Sequence, residues 1–137
     1  MDHRKDELLS EILRRVQRNC VRMVEIERLT KELGDALSRN DQESAQLLMK
    51  MRQDEMERVS EIREEIRLLI QSAEVGEGTK LRSWLAGEDT YQPDCFEAGK
   101  IIEFSKQIAL VLNRTISIDK VINQKLAGKD SYYQKTS

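Results

Sequence analysis

Proline, glycine and aromatic residues are scarce in this chain. Pro93 is its only proline, and between residues 2 and 73 the only glycine is Gly34. A stretch with so few breakers excludes a turn-rich β architecture there and favours long uninterrupted helices. Histidine is limited to His3 and cysteine to Cys20 and Cys95, which form no Cys-x-x-Cys pair. A zinc site needs about four converging ligands. A bundle carboxylate site needs Glu-x-x-His on inward faces. A Ser–His–acid or Cys–His set needs a histidine away from the terminus. None of these can be assembled, so no metal, no cofactor and no enzymatic role is expected. No run approaches the ~18 apolar residues of a membrane span, and the first residues lack the apolar core of a secretory signal. The expectation is a reduced, cytoplasmic protein whose two cysteines are small buried or half-buried residues.

Charge of one sign is also missing. Charged residues make up 35% of the 137 positions, yet 23 basic and 25 acidic side chains leave a formal charge of only -2. No global cationic field is available for DNA or RNA. Arg14, Arg15, Arg18 and Arg22 form one basic band. No aromatics interleave with it, and it reads as a solvated face balanced by acids on a neighbouring helix. Gly76, Gly78, Thr79 and Lys80 lack the spacing of a phosphate loop, and no strand precedes them.

What is present is helical periodicity. Leu9, Leu13, Val16, Cys20, Met23, Ile26, Leu29, Leu33 and Leu37 recur every three or four residues, which predicts a first helix over about 2–39. Glu11 with Arg15, Glu27 with Lys31 and Asp35 with Arg39 place acid before base at i and i+4. Gly34 weakens this helix by about 1 kcal/mol relative to alanine. A close helix crossing is the first reason to consider for it, and a flexible joint the second. Asn40 followed by Glu43 reads as a capping box opening a second helix over about 42–73. So short a link makes the two helices antiparallel neighbours. The apolar stripe of the second helix thins between Met51 and Met56, where Arg52, Asp54 and Glu55 intrude. Methionines such as Met23, Met49, Met51 and Met56 suit plain core and adaptable docking alike.

Residues 75–78 read as the end of the second helix, and residues 79–86 as a short helix capped by Thr79 and stopped by Gly87. Trp84, the only tryptophan, lies in it and reads as an anchor on the hairpin. Pro93, Asp94 and Glu97 mark the start of a long third helix over about 95–126, with Asp94 as its cap and Gly128 as its stop. Ile101, Phe104, Ile108, Val111, Thr115, Ile118 and Ile122 form a heptad-like seam along it. Ala98, Ile102, Ala109, Leu112 and Ile116 form a second row beside the first. Either both rows become core, or part of this surface stays open for a partner's amphipathic helix; the two readings are compatible. Residues 129–137 read as a flexible tail. In it, Tyr132 and Tyr133 either meet a partner or fold back over the helix ends.

The fold class expected is therefore all-α: an elongated antiparallel helical hairpin plus a third long C-terminal helix, a three- to four-helix bundle in one domain over 1–128. Residues 29–66 carry Ala36-Leu37, an Asx turn at Asn40-Asp41, Leu47-Leu48 and Arg52, and the chain ends in the run Asn123 to Gln134. In these residues, and in helix order and acidity, the chain resembles the FlgN-like flagellar export chaperones. The resemblance does not extend to the loop with Trp84. It implies a cytosolic chaperone for flagellar type III export whose clients are hook–filament junction (hook-associated) proteins, with the filament-cap chaperones as a near class. By that resemblance the third helix holds the client's amphipathic C-terminal segment. The candidate partner-binding residues are Ile101, Phe104, Ile108, Val111, Leu112, Ile118 and Ile122, with Tyr132 and Tyr133 meeting an export-gate component. The alternative is a structural coiled-coil adaptor, or a homodimer formed through these same apolar rows.

Overall fold

The computed structural model describes residues 3–136, with side chains described as far as Ala127. Four helices follow one another: α1 (His3–Ser38), α2 (Gln42–Gln71), α3 (Val75–Leu85) and α4 (Phe96–Thr136), with no strand among the described residues. The fold is all-α, as the periodicity predicts. The 36 residues of α1 correspond to a rod about 54 Å long.

The hairpin turn is shared between two residues. Asn40 adopts a left-handed φ of 57°, which asparagine tolerates better than most residues. Its N–H donates to the Leu37 carbonyl, and the Asp41 N–H reaches back to the Ala36 carbonyl, a Schellman closure of α1. Asp41, not Asn40, then caps α2, accepting from the Ser44 N–H at 3.1 Å and the Ser44 hydroxyl at 2.7 Å. The expected box shifts by one residue because Asn40 is already used to end the preceding helix.

The middle of the chain departs further from expectation. α2 stops at Gln71, and Val75, Gly76 and Gly78 belong to α3. Each glycine costs a helix only about 1 kcal/mol relative to alanine, and the Gly78 N–H closes the first turn of α3 by donating to the Glu74 carbonyl at 2.8 Å. Thr79 is not a cap; its hydroxyl donates to the Val75 carbonyl at 3.0 Å. Gly87, at φ +70°, ends α3 as predicted. α4 begins at Phe96, two residues after the expected cap Asp94, so Cys95 stands at the N-cap position, its carbonyl accepting the Gly99 N–H at 3.2 Å. Nor does α4 stop at Gly128. One glycine costs a helix only about 1 kcal/mol and does not oblige it to end.

α1 is the central element. α2 runs antiparallel to it, with Arg15 beside Glu65 and Arg22 beside Glu55. α4 runs parallel to it, with Cys20 beside Gln107, Glu27 beside Arg114 and Gly34 beside Ile122. α2 and α4 both lie along α1 yet bring no pair of Cα atoms within 8 Å of each other among the described residues. The core is thickest at the α3 end. There Leu9, Ile12 and Val16 meet Ile66 and Ile70, Leu81 and Trp84, and Ala98, Ile101 and Ile102. Farther along, it thins to Met23, Ile26 and Val111, and then to Leu33, Ala36 and Ala45.

Candidate functional site

Only part of the apolar surface of α4 is consumed by the bundle. Near its start both rows are core: Ala98, Ile101 and Ile102 are buried where α3 closes over them. From Ala109 onward the rows diverge. Val111 and Thr115 stay buried against α1, whereas Leu112 is 43% and Ile116 42% exposed. The reason is the neighbour. The middle of α2 carries charged side chains, so no dry α2–α4 seam forms and the second row has nothing to cover it.

The residues expected to meet a partner therefore separate into three groups. Ile101 and Val111 are core in this structure, not surface; α1 and α3 use them. Phe104 and Ile108 are half-buried and packed against the core. Leu112 is open, and Ile118 and Ile122 are half-buried beside Gly34 and Leu37 in a cleft of about 710 Å³. Tyr132 and Tyr133 lie outside the residues whose side chains are described.

The opening between α2 and α4 is a groove of about 730 Å³. Val16, Asn19 and Met23 of α1 form its floor. Val59, Ile66 and Ile70 of α2 face Ile108, Ala109 and Leu112 of α4 across it, and Leu85 and Ala86 close the α3 end. Three cations stand around it: Arg63, Arg67 and Arg82, all exposed. Arg67 donates to Glu64 one turn away, while Arg63 and Arg82 make no ion pair among the described residues. Asn19 is buried, and its Oδ1 has no hydrogen-bond partner. Beyond the groove, Arg52 Nη1 donates to Asp119 Oδ1 at 2.7 Å and joins α2 to α4.

The sequence reading did not single out Asn19, Arg63 or Arg82. The i, i+4 spacing of Arg63 and Arg67 beside Ile66 and Ile70 was the available signal for a cationic edge next to apolar surface. In the band of Arg14, Arg15, Arg18 and Arg22, every member but Arg18 is matched by an acid among the described residues. Arg14 and Arg15 pair with Glu11, Arg15 also with Glu65, and Arg22 with Glu55.

The groove offers binding surface, and its lining contains no carboxylate, cysteine or histidine. Elsewhere, burial pushes the Cys20 thiol upward, and burial is the main cause of the rise at Cys95, so both thiols are protonated at neutral pH and are poor nucleophiles. Among the described residues no cluster of three metal-ligating side chains occurs, and no helix is long and apolar enough to cross a membrane. No family model matches the chain, and no curated protein or solved structure is significantly similar to it.

Proposed function

We propose that this protein is a non-enzymatic, cytosolic chaperone of flagellar type III export that holds the amphipathic C-terminal helical segment of a hook–filament junction protein. The observation that carries this reading is the open α2–α4 groove, with Ala109 and Leu112 exposed on its α4 side. An amphipathic helix laid between α2 and α4 covers that row and completes the bundle, by the helix-in-groove mode of recognition. A client that polymerises through terminal helices is kept apart from its copies while that segment is occupied. Ordering a disordered segment offsets part of the binding free energy, which keeps the complex releasable.

The test is a purified mixture. A hook–filament junction protein with its C-terminal segment should co-elute with the chain, and the same protein without that segment should not. Absence of a complex with the intact client defeats the proposal. A second reading is a coiled-coil adaptor that pairs with its own copy. It is favoured by Leu110, 60% exposed on α4 outside the groove. A salt-resistant dimer in light scattering supports that reading; a monomer that gains mass only with client supports the first.

A further inference from the structure

The charge around the groove is unlike that of the chain. The protein as a whole is slightly acidic, at -2, yet the groove is lined by Arg63, Arg67 and Arg82 and by no aspartate or glutamate. Arg63 and Arg82 have no ion-pair partner among the described residues. Several cations beside α1 are matched: Arg15 with Glu11 and Glu65, Arg22 with Glu55, Arg114 with Glu27. Two guanidinium groups without an ion-pair partner among the described residues thus edge an apolar trough whose lining holds no carboxylate.

The groove also has a length. On α2 it extends from Val59 to Gln71, which corresponds to roughly 18 Å of helix, or about three turns. Leu85 and Ala86 close one end, and beyond the other the Arg52–Asp119 pair spans α2 and α4. A partner helix of about three turns fits between these limits.

From this we infer that the groove selects an acidic amphipathic helix of a partner protein. Its apolar stripe lies on Met23, Ile66, Ile108 and Leu112, and its carboxylates meet Arg63, Arg67 and Arg82. The inference rests on the helix-capture reading above and adds the chemistry of the captured segment. Guanidinium groups hold carboxylates in bidentate fashion and are weakly hydrated, so they suit such a rim. Rim charges chiefly set selectivity and association rate, with the apolar stripe supplying the contact area.

The test uses the full chain and a labelled synthetic peptide of about 14 residues, with leucines at i, i+3, i+4 and i+7 and glutamates flanking them. Companion peptides carry glutamine or lysine in place of glutamate. In fluorescence anisotropy the glutamate peptide should bind about tenfold or more tighter than the lysine peptide. Its affinity should fall as salt rises from about 50 to about 300 mM. The triple variant Arg63→Glu, Arg67→Glu, Arg82→Glu should reverse the preference. All three side chains are exposed, and circular dichroism should remain unchanged. Leu112→Asp should weaken both peptides.

Equal binding of the glutamate and lysine peptides overturns the inference, as does a preference that survives in the triple variant. Binding of palmitate or phosphatidylglycerol vesicles through these arginines, with no peptide binding, overturns it too. The client experiment fails separately. If a hook–filament junction segment binds the triple variant undiminished, the acidic-helix inference is wrong while capture stands. If that segment does not bind but the glutamate peptide does, with charge reversal as above, the inference holds and the flagellar client is wrong.

Discussion

Arg52 Nη1 lies 2.7 Å from Asp119 Oδ1, and this pair links α2 to α4, whose backbones otherwise stay apart. Arg52 is also 3.5 Å from the hydroxyl of buried Thr30, so it anchors to α1 as well. The pair stands where the apolar stripe of α2 thins, and it supplies there a directional contact in place of a dry seam. Asp119→Asn should cost about 1 kcal/mol, as expected for a partly exposed pair. Amide exchange should quicken in the second half of α4 and stay unchanged around Ile101. Equal acceleration along the whole helix would show that the pair does not act locally.

Asn19 should be replaceable at a gain. Its Oδ1 is buried with no partner on the groove floor, and an unmet buried acceptor costs about 1–3 kcal/mol. Asn19→Leu should raise the urea midpoint and add about 1 kcal/mol or more of stability. A lowered midpoint would mean that the amide is satisfied in solution or that leucine overpacks the floor.

Trp84 is fully buried, and its Nε1 donates to the Tyr91 carbonyl at 2.9 Å. One side chain therefore fills the core and pins the loop before α4. Trp84→Ala should cost about 3–5 kcal/mol. Trp84→Phe keeps most of the packing and removes the donor, so a loss of about 1–2 kcal/mol is expected. Native emission from this sole tryptophan should be blue-shifted and move red on denaturation; a red-shifted native spectrum would contradict its burial.

Gly34 faces α4. A Cβ built there meets Ile122 Cδ1 at 3.3 Å and Cγ1 at 3.4 Å. Those atoms belong to a flexible side chain bordering the second cleft, so a small shift relieves the contact. Gly34→Ala should then be neutral or stabilising, up to the helix-propensity gain of about 1 kcal/mol. Gly34→Leu should destabilise by roughly 1–3 kcal/mol through overpacking. The leucine variant should melt clearly below the alanine variant, which should melt no lower than the parent; a large loss for alanine would mean that the approach of α4 is rigid.

Glu27 accepts from Arg114 at 2.7 and 3.2 Å. Those hydrogen bonds hold its carboxyl below the ordinary value of 4.5, against the upward effect of its burial. A lowered folded-state value contributes stability that is present above the unfolded value and is lost as pH falls through the folded one. The decline should therefore begin below about pH 4.5 and continue to lower pH. Glu27→Gln should flatten that acid limb and cost about 1 kcal/mol at neutral pH. An unchanged acid limb would remove Glu27 from the account.

The elements were legible in the residues because helix formation is local. Leu9 to Leu37 and Ile101 to Ile122 repeat at helical spacing whatever surrounds them, and Gly87 ends α3 as its backbone freedom allows. The Asn40-Asp41 turn was legible in place but not in role, since two adjacent residues each suit a cap and backbone geometry alone assigns them. Glu27 illustrates the same limit: Lys31 lies at the favoured spacing on α1, yet the bonded partner is Arg114 on α4.

What the sequence by itself determined is the set of long amphipathic helices and the antiparallel hairpin, because apolar periodicity and so short a link make consecutive helices antiparallel neighbours. Only the tertiary structure decided which parts of the apolar rows of α4 are core and which are open. That division depends on the distance of α2 from α4, set by side chains some seventy positions apart in the chain, as Arg52 and Asp119 are. Three arginines from two helices edge one apolar groove: the i, i+4 spacing sets Arg63 and Arg67 on one face of α2, and only the packing of α3 against α2 and α4 brings Arg82 to them.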